Sequence, residues 1–228
     1  MTTLFIVATP IGNLEDLTMR AFRILKEVDF ILCEDTRVTK KLLNHYDIKK
    51  PLLSYHQHSR LKKVNYILEL LKQGKNLALI SDAGTPGISD PGNLLVDEAI
   101  KRLMEKVKII PIPGPSAVTA AASISGFPMD KFLFLGFPPT KRKRKKFFQE
   151  VVKSKYPVIF YESPYRIIKS LRDLQLISKT YNLKPKIVVC RELTKKFETI
   201  YRGKIEEVIR EIEKGKVKGE FVVIVNAD

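Results

Sequence analysis

The chain has 228 residues, of which 44% are hydrophobic and 29% are charged. This composition is typical of a folded protein and excludes a disordered, collagen-like or low-complexity chain, and the length suits one large domain or two compact ones. The net charge of +16 favours a polyanionic partner, and it is unevenly placed, with +4 in residues 1–113 and +12 in residues 114–228.

Residues 1–113 alternate short apolar runs with amphipathic stretches. Strands are predicted at residues 4–8, 30–33, 52–55, 77–80 and 108–112, and helices at residues 19–28, 36–46, 61–72 and 94–104. Strands that alternate with helices are typical of a mainly parallel sheet covered by helices on both faces. We therefore predict an N-terminal α/β domain over residues 1–113.

Residues 114–228 form the second predicted domain, and Pro-Gly-Pro at 113–115, which spans the boundary, is the predicted linker. Helices are predicted at residues 116–125, from about 143, and at 167–181 and 205–213, and strands at 132–135, 158–161, 186–191, 197–203 and 221–225. The short connection at 192–196 permits an antiparallel strand pair, which a pure βαβ array does not contain. The second sheet is therefore predicted to be mixed, and the fold class is α/β throughout.

No stretch has the roughly 18 to 20 uncharged apolar residues that a membrane-spanning helix needs, and the N-terminus has neither a basic region nor a cleavage site. We expect a soluble, cytoplasmic protein. Cys33 and Cys190 both lie within apolar runs, so we expect buried, reduced thiols. Two cysteines and three histidines show no metal-ligand spacing, and no metal site is predicted.

The segments that follow the strands are candidate ligand sites, because ligands bind beyond the carboxyl ends of the strands in open α/β sheets. Residues 81–92 hold three glycines, two prolines and two aspartates. Such a loop can turn backbone N–H groups toward a small polar ligand, while Asp82 can accept from an amine or a ribose hydroxyl. The alternative is an elaborate helix N-cap made by Ser89 or Asp90.

Four further segments follow strands: residues 8–13, residues 34–37, the His-Gln-His at 56–58, and residues 113–116, which lead into the small residues at 117–122. The small residues permit either tight helix packing or close approach of a ligand. The chain contains no G-x-G-x-x-G, no P-loop and no G-x-S-x-G motif, so dinucleotide oxidoreductases, P-loop NTPases and α/β-hydrolases lose their best support.

Four of these segments, taken in order, resemble the tetrapyrrole methylase superfamily: residues 7–14, 33–37, 80–92 and 112–118. In the second half, Leu-Gly-Phe-Pro-Pro at 135–139, Phe-Tyr-Glu-Ser-Pro at 160–164, Arg-Glu-Leu-Thr-Lys at 191–195 and Glu-Thr at 198–199 resemble the ribosomal RNA small-subunit methyltransferase I family. The resemblance extends from Leu4 to Val225.

The resemblance implies methylation of the 2′-hydroxyl of a cytidine in small-subunit (16S) ribosomal RNA, free or in the assembled subunit. It further implies S-adenosylmethionine as cofactor, a homodimer, and a cofactor cleft between two α/β domains. The family's cofactor positions correspond to Pro10, Asp82, Thr85, Ser116, Ala117, Tyr161 and Leu193. The chain departs from the family at Tyr165, where a histidine is usual, and at Gln57, where an acid is usual.

Removal of the ribose proton requires a base, or a charge that favours the developing alkoxide. Glu34, Asp35 and Arg37 follow the second strand at the same sheet edge as Pro10 and Asp82, and they are the catalytic candidates. In the alternative interpretation Asp35 or Thr36 only caps the following helix.

A run of six basic residues is the candidate phosphate-binding segment: Lys141, Arg142, Lys143, Arg144, Lys145 and Lys146. It opens a helix whose predicted apolar face contains Phe147, Phe148 and Val151. The run argues against a porphyrin-like substrate, which does not need six consecutive cations. A non-enzymatic RNA-binding module is a second alternative, supported by the charge and by Phe147 and Phe148, and a solvated helix start is the third.

Overall fold

A computed structural model describes residues 1–56 and 61–227 of the chain. The chain folds into two compact units, Met1–Ser116 and Ala117–Asp228. The first unit contains, in chain order, β1 (Thr2–Val7), α1 (Met19–Glu27), β2 (Phe30–Cys33), α2 (Thr36–His45), β3 (Leu52–Ser54), α3 (Leu61–Lys72), β4 (Leu77–Leu79), α4 (Gly92–Leu103) and β5 (Val107–Ile112).

The sheet of the first unit has the strand order β3-β2-β4-β1-β5, and every neighbouring pair is parallel. Buried side chains cover both faces, as an all-parallel sheet requires. Leu4, Leu32 and Leu77 pack with α3 and α4 on one face, and Val7 and Ile31 pack with α1 and α2 on the other. The predicted parallel α/β sheet is confirmed.

The second unit contains α5 (Ala117–Ile124), β6 (Leu133–Phe134), α6 (Arg144–Lys153), β7 (Val158–Glu162), α7 (Ile167–Thr180), β8 (Lys186–Arg191), β9 (Thr199–Lys204), α8 (Ile205–Glu213) and β10 (Phe221–Asn226). Its strand order is β6-β7-β10-β8-β9. The pair β6/β7 is parallel and the other three pairs are antiparallel, so the predicted mixed sheet is confirmed.

The core of the second unit lies between the sheet and helices α6, α7 and α8. Phe148 and Val151 of α6 meet Leu171 of α7 and Phe160 of β7, all at most 1% exposed. The predicted apolar face of α6 is therefore correct. Helix α6 begins one residue later than predicted, because Lys143 adopts the left-handed conformation (φ 67°) and is the N-cap.

Within residues 1–56 and 61–227, no helix is long and apolar enough to cross a bilayer. Cys33 and Cys190 are free and buried, as expected. Burial raises the pKa of the Cys190 thiol to about 11, which makes this cysteine a poor nucleophile.

Candidate functional site

The loops after β1, β4 and β5 are joined by hydrogen bonds at the carboxyl edge of the first sheet. Thr9 and Gly84 exchange two backbone bonds, N to O, of 2.9 and 3.0 Å. Thr85 Oγ1 donates to the carbonyl oxygen of Pro115 at 3.1 Å. A Cβ at Gly84 would lie 3.3 Å from Ile11 Cγ2, so the loops also pack closely there. The structure thus brings together the chain segments that carry Pro10, Thr85 and Ser116.

Residues 81–92 form a loop that Asp90 holds from within. Asp90 Oδ1 accepts from the backbone N–H of Gly87 at 2.7 Å and of Gly92 at 2.8 Å. Gly84 and Gly87 have φ of +83° and +88°, conformations that favour glycine. The alternative of a helix N-cap by Ser89 or Asp90 is wrong, because Pro91 is the N-cap of α4. Asp90 nevertheless accepts from the N–H of Gly92, the first residue of that helix.

Asp82 connects this loop to the catalytic candidates after β2. The backbone N–H of Asp35 donates to Asp82 Oδ1 at 3.1 Å, across 47 positions of sequence. Asp82 remains exposed, so its carboxylate can accept further hydrogen bonds from a ligand. The loops after β1, β2, β4 and β5 therefore lie next to one another.

Asp35 and Arg37 form an exposed pair at the start of α2. Asp35 is the N-cap, and its Oδ1 accepts from the backbone N–H of Arg37 at 2.8 Å. Arg37 Nη2 lies 2.6 Å from Asp35 Oδ2, although the Arg37 side chain is 87% exposed. The hydrogen bonds from Arg37 lower the pKa of Asp35 to about 2. The structure thus supports the capping interpretation for Asp35, whose low pKa makes it a poor base.

Glu34 differs from Asp35 because it lines a cavity of about 620 Å³, together with His56, Gly87, Ser89, Asp90, Pro91 and Asn93. Burial raises the pKa of Glu34, and the nearby carboxylates of Asp90 and Asp82 raise it further. Of the three catalytic candidates, Glu34 therefore combines a cavity with a raised proton affinity. His58 and Gln57 lie outside the described residues.

The second unit carries Tyr161 and Leu193 near one end of its sheet. Glu162 of β7 and Arg191 of β8 both pair with Phe221 of the strand between them, so these strand ends are about 10 Å apart. Leu193 is buried and Tyr161 is half-buried. The sheet therefore places these two predicted cofactor residues at one edge.

Thr194 is a candidate that the sequence interpretation missed. Among the described residues, nothing accepts from or donates to its buried Oγ1. Its backbone has φ 66°, and its N–H donates to Glu198 Oε2 at 2.6 Å. A buried hydroxyl without a partner is costly unless a ligand or water satisfies it. The sequence feature that could have identified Thr194 is its position within the family motif at 191–195.

The basic segment divides into five exposed cations and one buried arginine. Lys141, Arg142, Lys143, Lys145 and Lys146 are exposed, whereas Arg144 is 8% exposed. Arg144 donates from Nε to Asp173 Oδ2 at 2.7 Å, from Nη1 to the Pro139 carbonyl at 3.1 Å, and from Nη2 to Ser170 Oγ at 2.8 Å. Arg144 must be removed from the predicted phosphate-binding set, because its guanidinium holds the fold.

Phe147 and Phe148 do not form an aromatic surface for RNA. Phe148 is fully buried, and Phe147 packs edge-on against Phe148 and Phe160. Their predicted part in the apolar face of α6 is correct. Their use as support for an RNA-binding module is wrong, because these rings face the core.

The family profile described as Tetrapyrrole (Corrin/Porphyrin) Methylases matches residues 3–209. A Thermotoga maritima protein named ribosomal RNA small subunit methyltransferase I is 46% identical over 227 residues, covering 99% of each chain. A Halalkalibacterium halodurans protein of the same name is 47% identical, covering 99% of this chain and 76% of its own length.

Two solved structures share the fold of this chain. The methyltransferase CobJ has a TM-score of 0.71 and 19% identity, and the match covers 100% of this chain and 95% of CobJ. The cobalt precorrin-4 methyltransferase CbiF, with TM-score 0.69 and 17% identity, covers 98% and 94%.

Proposed function

Because this chain belongs to the tetrapyrrole methylase family, and within it to the ribosomal RNA small subunit methyltransferases I, we propose that it methylates a cytidine 2′-hydroxyl of small-subunit ribosomal RNA, with S-adenosylmethionine as donor. The family resemblance predicted from the motifs is confirmed. The observation that carries the proposal is the joining of four strand-end loops beside Asp82, with Glu34 in the adjacent cavity.

The donor set of the first unit fits S-adenosylmethionine. Asp82 offers an exposed carboxylate to a ribose hydroxyl or an ammonium group, and the positive φ of Gly84 turns the backbone beside it. The buried hydroxyl of Thr194 in the second unit is a further polar group that needs a partner. We propose Pro10, Asp82, Thr85, Ser116, Ala117, Tyr161 and Leu193 as cofactor contacts. When bound, the cofactor supplies an electrophilic methyl group.

We propose Glu34 as the group that receives the proton of the ribose hydroxyl. A base is effective when its pKa approaches the working pH, and burial together with Asp90 and Asp82 raises the pKa of Glu34. Asp35 orients Arg37 through their ion pair. The exposed guanidinium of Arg37 can then stabilise negative charge on the acceptor oxygen. Displacement at a methyl group otherwise depends mainly on positioning.

The five exposed cations of segment 141–146 are proposed to contact phosphates of the RNA. Within the described parts of the chain, none of the five is within salt-bridge distance of an acid. Cations in the first turn of a helix repel the positive end of the helix dipole, and a bound phosphate would relieve that repulsion.

We also propose a cytoplasmic homodimer. Sedimentation of a single 26.1 kDa species at micromolar concentration would contradict the dimer.

The test is methyl transfer to small ribosomal subunits purified from cells that lack this activity. Labelled S-adenosylmethionine and the protein are incubated with these subunits or with deproteinised RNA, and the labelled nucleotide is mapped. Label on one cytidine 2′-oxygen is the expected result. Absence of label from the RNA in both reactions would contradict the proposal.

Binding of the cofactor is tested separately by calorimetry. We expect S-adenosylmethionine to bind the isolated protein and to raise its melting temperature by mass action. In Ala117→Trp we expect this binding to be lost without loss of folding, because the indole would occupy cofactor space. Unchanged affinity in the folded variant would place the cofactor elsewhere.

A further inference from the structure

Two exposed aromatic side chains lie in the loops that adjoin segment 141–146. Phe137 is 53% exposed and Tyr165 is 94% exposed. Phe137 precedes Lys141 by four residues, so their Cα atoms are at most about 14 Å apart. An exposed aromatic ring beside a cluster of cations is the composition of a single-stranded nucleic acid site.

Arg166 ties the two aromatic residues together. Its Nη1 donates to the carbonyl oxygen of Pro138 at 3.2 Å, and its Nη2 lies 2.9 Å from Oε1 of the fully buried Glu162. Phe137 precedes Pro138 in the chain and Tyr165 precedes Arg166. The hydrogen bond between Arg166 and Pro138 therefore joins the two loops that carry Phe137 and Tyr165.

Arg144 fixes the other side of the same loop. Its hydrogen bond to the Pro139 carbonyl adjoins the bond that Arg166 makes to Pro138. Ser170 and Glu162 together link the two arginines. Ser170 Oγ accepts from Arg144 at 2.8 Å and donates to Glu162 Oε2 at 2.5 Å, and Glu162 Oε1 lies 2.9 Å from Arg166 Nη2. This buried network holds the loop that carries Phe137, and it holds the start of the basic helix. The aromatic and cationic groups are thus preorganised, which reduces the entropy lost on binding.

We propose that Phe137 and Tyr165 stack on unpaired bases of the RNA substrate, while the five exposed cations of segment 141–146 contact its phosphates. Every base has a π face, so such a surface accepts unpaired bases of any sequence, whereas the bases of a duplex are already stacked on one another. This inference rests on the proposed function, because it takes RNA as the substrate. The Phe137 ring also lies 5.4 Å from that of Tyr161, a proposed cofactor contact. A base stacked on Phe137 would thus adjoin the cofactor.

The experiment measures binding of the full-length protein to two fluorescent RNAs, one unstructured and one a duplex of the same length. Phe137→Leu and Tyr165→Leu remove the rings but keep apolar bulk, and Tyr165→Phe retains the ring. Tyr66→Leu, at a 49% exposed tyrosine on α3 of the first unit, is the matched control. Affinity for S-adenosylmethionine is measured in each variant.

We expect Phe137→Leu and Tyr165→Leu each to weaken binding of unstructured RNA by about fivefold or more. Tyr165→Phe, the control, and duplex binding should change by less than about twofold. The salt dependence should stay unchanged, because the phosphate contacts remain.

Equal losses for duplex and unstructured RNA, or no loss, would overturn the proposal. A parallel loss of S-adenosylmethionine affinity would also overturn it, because the rings would then act on the cofactor. The assay needs no methyl transfer, so a wild-type protein that binds RNA as expected but methylates nothing would refute the proposed function alone.

Discussion

Two arginine–aspartate pairs, one in each unit, have nearly the same nitrogen–oxygen distance and different environments. Arg37 and Asp35 lie 2.6 Å apart, and Arg144 and Asp173 lie 2.7 Å apart. The Arg37 side chain is 87% exposed, whereas that of Arg144 is 9% exposed and all three of its guanidinium nitrogens donate hydrogen bonds. Exposed pairs contribute little stability and leave donors free for a ligand, while a buried arginine must be fully paired. In a chain with 41 basic residues, burial therefore separates the cations that hold the fold from those that can bind.

The largest effect is expected from removal of the buried cation. Arg144→Met would leave Asp173 without its partner and Ser170 without a donor, and we expect the free energy of unfolding to fall by about 3 kcal/mol. Arg142→Met, two residues away and exposed, should change it by less than about 0.5 kcal/mol. Chemical denaturation of both variants measures the difference. Equal stabilities would mean that the Arg144 network does not hold the second unit.

The next effect concerns catalysis in the first unit. We expect Glu34→Gln to slow single-turnover methylation about a hundredfold, equivalent to about 2.7 kcal/mol of activation free energy. Melting temperature and S-adenosylmethionine affinity should remain near those of the wild type. Glu105→Gln, at an exposed glutamate of the same unit, is the control. A near-normal rate in Glu34→Gln would remove Glu34 from the mechanism.

The pH dependence of methylation sharpens the assignment of Glu34. A base acts when deprotonated, so the rate should fall as the pH falls through the pKa of Glu34. Because burial and two carboxylates raise that pKa above the ordinary value of 4.5, the acid limb should lie above pH 4.5 in the wild type. The residual activity of Glu34→Gln should lack this limb. A limb that persists in the variant would report another group.

A smaller effect is expected from the exposed cations of segment 141–146. Replacing Lys141, Arg142, Lys145 and Lys146 by glutamine should reduce the salt slope of RNA affinity by up to about 0.7 per lost contact with single-stranded RNA. The matched control replaces Lys179, Lys184, Lys186 and Lys216, four exposed lysines of the same unit. Fluorescence titrations at several salt concentrations give both slopes. Identical slopes in the two variants would show that the segment has no special part in binding.

The smallest effect is expected at the exposed pair. Asp35→Ala should slightly lower the melting temperature at neutral pH, whereas Asp35→Asn, which can still cap α2, should lower it less. Arg37 depresses the pKa of folded Asp35 from 3.8 to about 2. The stabilisation is therefore present above pH 3.8 and is lost as the pH falls through about 2. A difference between Asp35→Ala and wild type that persists unchanged below pH 2 would contradict this origin.

The order and type of the elements could be predicted from the sequence, because apolar periodicity is local and the two sheets bury most of it. The short connection at 192–196 was enough to predict the antiparallel pair β8/β9. The grouping of the strand-end loops was also predictable, since parallel strands place their carboxyl ends at one edge. The individual cofactor contacts stay predictions, as does the cleft.

Tertiary structure alone decided which charged and aromatic residues of the motifs are available for binding. Arg144 looks like its neighbours in sequence, but it meets Asp173, 29 positions away, inside the second unit. Glu34 and Asp35 are adjacent in sequence, yet burial and two nearby carboxylates raise the pKa of Glu34, while hydrogen bonds from Arg37 lower the pKa of Asp35. Phe147 and Phe148 face the core, while Phe137 and Tyr165 face solvent. The physical reason is that desolvation and charge pairing depend on distances across the fold, whereas apolar periodicity is set by residues a few positions apart.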